Sequence, residues 1–170
     1  MAGSHEIANA GTQDRELLIA YLNTGTANSP TWSPIGKRVE DSSIEYDWQT
    51  EIKKDILGMT WTTMKKPTMT QTFDPCELDG SDVAQQKIWQ LAVVEQNINA
   101  IAAQDMLLVH SYGNFAERYE ASMIAPSSLG GEGGGMLQMP FEVTFGGTRT
   151  IGTVTVDSQT GAITFVPDTP

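Results

Sequence analysis

The sequence predicts one β-rich α+β domain, a β-sandwich or barrel with a single α-helix packed against it. Three observations support this prediction. Short runs rich in Thr, Val, Ile and aromatic residues recur along the chain, and clusters of Gly, Pro, Asn and Asp separate them. A long repeat of apolar residues at the helical spacing of three and four occurs near residues 81–101. The length of 170 residues suits one domain with its own core.

The N-terminal part of the chain is small and polar at first. Residues 1–15 are expected to form a flexible segment, so the single domain spans residues 16–170. Residues 16–23 are apolar and favour a strand or a short helix. Turn residues follow, and a short strand is predicted at 31–35.

A two-residue alternation starts at Ser42 and predicts a long strand that reaches about Ile52. The apolar side chains expected to face the core are Ile44, Tyr46 and Trp48. The opposite, polar face consists of Glu45, Asp47, Gln49 and Glu51. A mixed-charge tail at 53–55 then leads to Gly58, which ends this part of the chain in a predicted loop.

The middle of the chain contains a strand and the helix. Residues 68–73 predict a strand, which Asp74 and Pro75 end. The helix is expected to start near Ser81, with Asp82 as an acid in its first turn. Its predicted apolar face consists of Ala84, Ile88, Leu91, Val94, Ile98 and Ile101.

The C-terminal part reads as strands joined by turns. Residues 105–113 and 115–126 predict two paired strands around a Gly-Asn turn. Residues 127–135 are rich in glycine and are expected to form a mobile loop. A strand at 136–147 and a terminal hairpin at 148–157 and 162–166 complete the predicted order.

The composition excludes several classes of function. The net charge is −11, which disfavours adhesion to nucleic acid and to anionic membranes. Charged residues make up 18% of the chain, against about 25% in an average domain, so part of the surface is expected to be covered in the working state. The sequence shows neither a signal peptide nor a membrane span. A single cysteine, Cys76, permits no internal disulfide.

Motifs of catalysis and of metal or cofactor binding are not found. His5 and His110 are the two histidines, and His110, in an apolar strand, is predicted to be structural. The Gly-rich run at 130–135 precedes a strand and lacks the Lys-Ser/Thr of a phosphate loop. We therefore expect no enzyme, no metal site and no cofactor. Three isolated basic pairs, Lys37-Arg38, Lys53-Lys54 and Lys65-Lys66, suit contacts with acidic patches on another subunit.

Three stretches, taken in order, resemble the major tail (tail tube) proteins of long-tailed, siphophage-type bacteriophages. The first is "WSPIGKRVEDSSIEYDWQTEIKKDILG" (32–58), which is similar to a strand-then-loop region near the N-terminus of the family. The second is "NINAIAAQDMLLVHSY" (97–112) followed by "FAERYEASMIAPSSLGGEGGGMLQMPFEVTFGGTRTIGTV" (115–154). The third is "TGAITFVPD" (160–168), which resembles the last strand of the family.

The resemblance implies a structural role and names partners. It implies the phage tail tube fold, in which sheets of neighbouring subunits join, and hexameric rings that stack into a tube. DNA passes through the lumen without specific binding, and the tape-measure protein and the tail-tip and terminator proteins are further partners. The location implied is the virion tail, assembled in the host bacterial cytoplasm. No C-terminal immunoglobulin-like domain is expected.

Within this family, two sets of residues become candidate sites. The candidate lumen-facing residues are Glu45, Asp47, Gln49 and Glu51. The candidate contacts between subunits or rings are Lys53, Lys54, Asp55, Gly130, Gly131, Glu132 and Gly133. Acids on the outer wall would give the same net charge as acids in the lumen. Two alternative functions stay open: the tube of a contractile tail or related injection device, and a monomeric β-sandwich that binds a ligand on exposed tryptophans.

Overall fold

The computed structural model describes residues 5–169. The strands are β1 (Leu18–Asn23), β2 (Trp32–Pro34), β3 (Ile44–Asp47), β4 (Glu51–Lys54), β5 (Thr60–Thr63), β6 (Thr68–Phe73), β7 (Gln104–His110), β8 (Phe115–Pro126), β9 (Phe141–Phe145), β10 (Arg149–Val156) and β11 (Ile163–Pro167). The helices are α1 (Val83–Trp89) and α2 (Ile98–Ile101), with a π-helical turn at Gln90–Val94 and 3-10 turns at Arg15–Leu17 and Ser111–Gly113. The architecture is therefore mostly antiparallel sheet with a short helical segment, as predicted.

The main sheet is organised around β8. The strand order is β2-β1-β7-β8-β9-β6-β3, while β10 pairs with β8 and β11 with β10. The first half of β8 pairs with both β7 and β10, and its last four residues pair with β9, as in Met123 opposite Thr144. One strand of 12 residues thus belongs to both halves of the sheet.

The core lies between the two halves and is closed by α1. Phe73 of β6 and Phe141 of β9 stack with ring centroids 4.7 Å apart. Burial of each such side chain contributes roughly 1.5–3 kcal/mol. A second apolar cluster on the other face of β7 contains Leu107 and Val109, and Phe165 from the β10–β11 hairpin packs against it. Because β7 is covered on both faces, its sequence is a continuous apolar run and not an alternation.

The predicted helix starts close to the predicted position but is wrong at its end, and Asp82 is its N-cap and not an acid of its first turn. Asp82 caps α1 by accepting a hydrogen bond from the amide of Ala84 at 3.0 Å. The amide of Glu95 then bonds the carbonyl of Gln90, an i to i+5 step that turns the following residues away from the core. As a result, Val94 is 52% and Ile98 75% exposed, so the six apolar residues do not share one buried face.

The long strand predicted from Ser42 to Ile52 is also wrong. Strand β3 ends at Asp47, and Gln49 adopts a left-handed conformation with φ 48°. Strand β4 then pairs only with β5, in a separate two-stranded sheet. Ile44 packs against the core as expected, but Tyr46 and Trp48 remain 46% and 47% exposed and stack on each other.

The remaining predictions locate most strands. The strand predicted at 68–73 is confirmed, and so are the β7–β8 pair and the terminal β10–β11 hairpin. The strand predicted at 136–147 begins only at Phe141 and ends at Phe145. Within residues 5–169, the helices are too short to span a bilayer. The segment expected to be flexible, 1–15, includes residues 1–4, which lie outside the described residues.

Candidate assembly surfaces

The hairpin of β4 and β5, residues 51–63, stands apart from the main sheet and is called here the distal hairpin. Its turn is encoded locally. The amide of Asp55 bonds the carbonyl of Met59 at 2.9 Å, and the Asp55 carboxylate accepts hydrogen bonds from the amides of Leu57 and Met59. Gly58 has φ 83°, a conformation that side chains disfavour. The segment Asp-Ile-Leu-Gly therefore forms a tight, hydrogen-bonded turn at the tip.

The distal hairpin exposes apolar side chains to solvent. All eight residues of β4 and β5 are exposed, and at the tip Ile56 is 102% and Leu57 83% exposed. Ile52 and Met59 are exposed as well, at 73% and 66%. A lone two-stranded hairpin is marginally stable in water, and a contiguous apolar surface marks an interaction site. This hairpin has the properties of a segment that another protein surface covers.

The charged residues predicted for this region have different roles. Lys53 pairs with Glu51 on the same strand at 3.2 Å. Asp55 is committed to the turn of the tip. Lys54 is exposed and forms no ion pair within residues 5–169. Lys54 is therefore the basic group of this region left available for a contact outside the subunit.

The four residues predicted to face a lumen do not share one strand face. Glu45 and Asp47 are exposed on β3, which forms one edge of the main sheet. Gln49 lies in the break between strands, where its amide bonds the Asp47 carboxylate at 3.1 Å. Glu51 belongs to the distal hairpin. The four are exposed polar groups along one stretch of chain: two lie on the main sheet, one in the break and one in the distal hairpin.

The Gly-rich loop is better fixed than its composition suggests. The amide and carbonyl of Gly130 both bond Gln138, at 3.0 and 2.6 Å. A Cβ on Gly131 would lie 2.7 Å from the carbonyl oxygen of Met136, so only glycine fits there. Glu132, Gly133 and the neighbouring Met136 are exposed. This loop is a second exposed surface with an apolar side chain on it.

Sequence reasoning missed a buried ionic cluster in the main sheet. Glu117 is only 4% exposed. Its carboxylate lies 2.8 Å from Nε2 of His110 and accepts a hydrogen bond from Nε of Arg149 at 2.6 Å. Burial acts to raise the pKa of Glu117, but hydrogen bonds from His110 and Arg149 outweigh it, so the pKa lies below its ordinary value. The prediction that His110 is structural is confirmed. The cluster joins β7, β8 and β10.

Groups that could hold a metal are not found in the part of the chain that the structure describes. The one cysteine, Cys76, is 1% exposed, and burial raises the pKa of its thiol to about 11. A buried thiol of this kind acts as a small apolar residue and not as a nucleophile.

Comparison with known proteins identifies the fold. No protein-family model and no curated protein matches the sequence. A solved chain from the tail of an empty GTA particle, refined with C6 symmetry, aligns with a TM-score of 0.56 at 10% identity, over 82% of this chain and 98% of that one. A chain from the sheath–tube complex of PVC, an extracellular contractile injection system, aligns with a TM-score of 0.51 at 10% identity, over 87% and 96%.

The fold therefore belongs to the class of tail tube folds. At 10% identity, this likeness concerns the fold alone.

Proposed function

We propose that this protein is a structural subunit that assembles with copies of itself into stacked, hexameric rings, and that the rings form the tube of a phage tail. The observation that carries the proposal is the distal hairpin, because its apolar tip has no partner within residues 5–169. The tail tube fold supports the proposal, since the two solved chains that share it come from a tail and from a sheath–tube complex.

The edges of the main sheet favour self-assembly too. Strands β2, β3 and β11 each pair with a neighbouring strand on one side only and leave the other side of the backbone unpaired by strands. Unpaired strand edges aggregate unless another strand or loop covers them. Joining sheets of neighbouring subunits would pair these edges and close the ring.

The acidic charge has a role in a tube that carries DNA. We propose that Glu45, Asp47, Gln49 and Glu51 face the lumen. An acidic wall releases no counterions from DNA, so DNA can pass without sticking. The distal hairpin, with Lys53, Lys54 and Asp55, and the loop with Gly130, Gly131, Glu132 and Gly133 would then provide the contacts between subunits or rings.

The proposal extends to place and partners. The tube would lie in the virion tail of a siphophage-type phage, be assembled in the host bacterial cytoplasm, and meet a tape-measure protein and tail-tip and terminator proteins. Its role would be structural, without catalysis or cofactor. The tube of a contractile injection system is the nearest alternative. The likeness to the PVC chain favours this alternative as much as the likeness to the GTA chain favours the phage tail tube.

Electron microscopy of the purified protein tests the proposal. Negative-stain images of the concentrated protein should show rings or tubes of uniform diameter, with six subunits around the ring. A protein that stays monomeric at all concentrations, also after tail-tip components are added, would contradict the proposal.

A monomeric binding module is the second candidate, because the structure exposes aromatic rings that were expected in the core. Tyr46 and Trp48 stack with ring centroids 6.1 Å apart, and Trp61 of the distal hairpin is 46% exposed. Exposed aromatic faces can hold sugar rings. Binding of the monomer to a glycan array would favour this candidate, and loss of that binding in Trp48→Ala and Trp61→Ala would locate the site.

A further inference from the structure

A cavity of about 830 Å³ opens between the two ends of the main sheet. It is called here the seam cavity. Its apolar walls consist of Leu18, Ala20, Ile35, Val39 and Phe73. Strand β1 lies on one side and β6 on the other, and the two are not paired across the gap in the described strand order. Arg15 crosses the gap instead, donating to the carbonyls of Leu18 at 2.6 Å and Ser42 at 2.8 Å.

We propose that the seam cavity of one subunit receives the tip of the distal hairpin of a second copy of this chain. This inference rests on the proposed self-assembly and specifies which surface of one subunit binds the distal hairpin of the next. The tip is an exposed apolar turn, with Ile56 and Leu57 almost wholly in solvent, and the cavity is an apolar concavity on the same chain. A volume of 830 Å³ falls in the range of about 300–1,000 Å³ that holds whole ligands, so it accommodates more than one side chain.

Charge at the mouth of the cavity matches charge beside the tip. Five charged residues line the cavity: Arg15, Glu16, Lys37, Glu40 and Asp82. Lys37 pairs with Asp79 at 3.0 Å and Arg15 donates to the carbonyls of Leu18 and Ser42, whereas Glu16 and Glu40 are exposed and form no ion pair within residues 5–169. Lys54, adjacent to the tip, has no ion-pair partner there either. Docking would therefore place a basic group near two acids. Opposite charges across an interface orient the encounter and fix its register.

The cavity wall also contains a polar group without a partner. Gln71 is 2% exposed, and its Oε1 receives no hydrogen bond. Its amide orientation is set by Ser42, whose hydroxyl donates to the Thr72 carbonyl at 2.8 Å and accepts from Gln71 Nε2 at 3.0 Å. The Ile56 amide at the tip has no acceptor within the described residues. This amide is the donor that we assign to Oε1; the bond requires Gln71 to release Ser42 and turn toward the cavity, so it forms only on docking.

The contact joins two different surfaces, and this decides what it builds. Each copy has one tip and one cavity, so the interaction runs head to tail and leaves a tip and a cavity free at the two ends. Such a contact generates rings or open helical assemblies and does not stop at a dimer. It would also bury the apolar tip that a free subunit leaves in water.

Disulfide trapping tests the contact. In assembled protein carrying Leu57→Cys and Val39→Cys, mild oxidation should give a ladder of dimers, trimers and longer chains on a gel without reductant. The matched control combines Leu57→Cys with Val94→Cys, an exposed apolar position of the π-helical turn, and should give no ladder. Cys76 is buried and should not take part.

The outcomes separate the two proposals. Tubes that form without a ladder from the 57/39 pair, or with a ladder from the 57/94 control, would overturn the cavity as receptor while leaving the proposed function intact. Wild-type protein that forms no tubes would overturn the proposed function and this contact with it.

A second measurement applies if the cysteine pair itself blocks assembly. Filling the cavity with Val39→Trp, or making the tip polar with Leu57→Ser, should each raise the protein concentration needed for assembly roughly tenfold. The double variant should be no worse than the single variants, because both remove the same contact. Unchanged assembly of the folded Val39→Trp variant would overturn the inference.

Discussion

Glu117 on β8 and Arg149 on β10 form an ion pair in which the carboxylate side chain is 5% and the guanidinium side chain 48% exposed. His110 approaches the other carboxylate oxygen. Glu117 is therefore held by side chains from two neighbouring strands, Arg149 on β10 and His110 on β7. Removing a compensated buried charge leaves its partners without an acceptor, which makes this residue a sensitive position for stability.

The Glu117→Gln variant should lose about 1–3 kcal/mol of unfolding free energy near pH 7, because His110 and Arg149 lose a charged acceptor. The folded-state pKa of Glu117 is lowered from 4.5, so its stabilisation is present above 4.5 and is lost as the pH falls through the folded value. Urea unfolding at several pH values should show the gap between variant and wild type narrowing below 4.5. The exposed neighbour Glu120→Gln is the control and should change little. A gap independent of pH would contradict the assignment.

Two glycines with positive φ separate backbone strain from steric clash. Gly161 has φ 72° and open space around it, so Gly161→Ala should cost about 1–2 kcal/mol from strain alone. Gly147 has φ 81°, and a Cβ there would lie 2.7 Å from the amide nitrogen of Ala121. Gly147→Ala should therefore cost roughly 1–3 kcal/mol more. Thermal unfolding of both variants measures the difference, and equal losses would refute the clash.

Reversing the charges of Lys53 and Lys54 to Glu should impair tube assembly while leaving the subunit folded, because both side chains lie on the exposed distal hairpin. Circular dichroism checks the fold, and sedimentation of tubes checks assembly. The matched control replaces Lys53 and Lys54 with Arg, which keeps both positive charges, and should assemble normally. If the Lys53/Lys54 variant forms normal tubes, the two lysines are solvated groups that make no contact needed for assembly.

Hydrogen exchange should distinguish the free subunit from the assembled one. The amides of β4 and β5 are paired only with each other, so they should exchange fast in the free subunit, whereas those of β7, buried between neighbours, should exchange slowly. On assembly, residues 51–63 should become protected. Equal protection of the hairpin in both states would argue that nothing covers it.

The sequence predicted the strands whose burial matches their pattern. In residues 68–73 the apolar Met69 and Phe73 alternate with polar Thr side chains, and β6 has alternating burial over the same residues, with Gln71 as the one polar side chain on the buried face. The alternation from Ile44 to Ile52 misled, because the pattern continues across Gln49 while the backbone turns there. The alternation of polar and apolar side chains therefore does not reveal that the chain leaves one sheet and enters another. The π-helical turn at Gln90–Val94 was not predicted for a similar reason. It changes which side chains face the core, but no Gly or Pro at Gln90 signals the change in the sequence.

The candidate surfaces were predicted only in part. The loop around 53–58 was expected from its charges and Gly58, but β5 was not, so the hairpin as a whole was missed. The exposure of Trp48 depends on which strands pair, and a single sequence does not contain that information. The same holds for Glu117, whose partners His110 and Arg149 meet through the pairing of three strands.

The shared strand β8 has a mechanical consequence. Its first half is bonded to β7 and β10 and its last residues to β9, so a pull on one half of the sheet reaches the other along the covalent backbone of one strand. Side-chain packing alone would let the halves slide under such a load. In a tube under tension or bending, each subunit would therefore transmit force as a single stiff piece, and the strain would concentrate at the contacts between subunits.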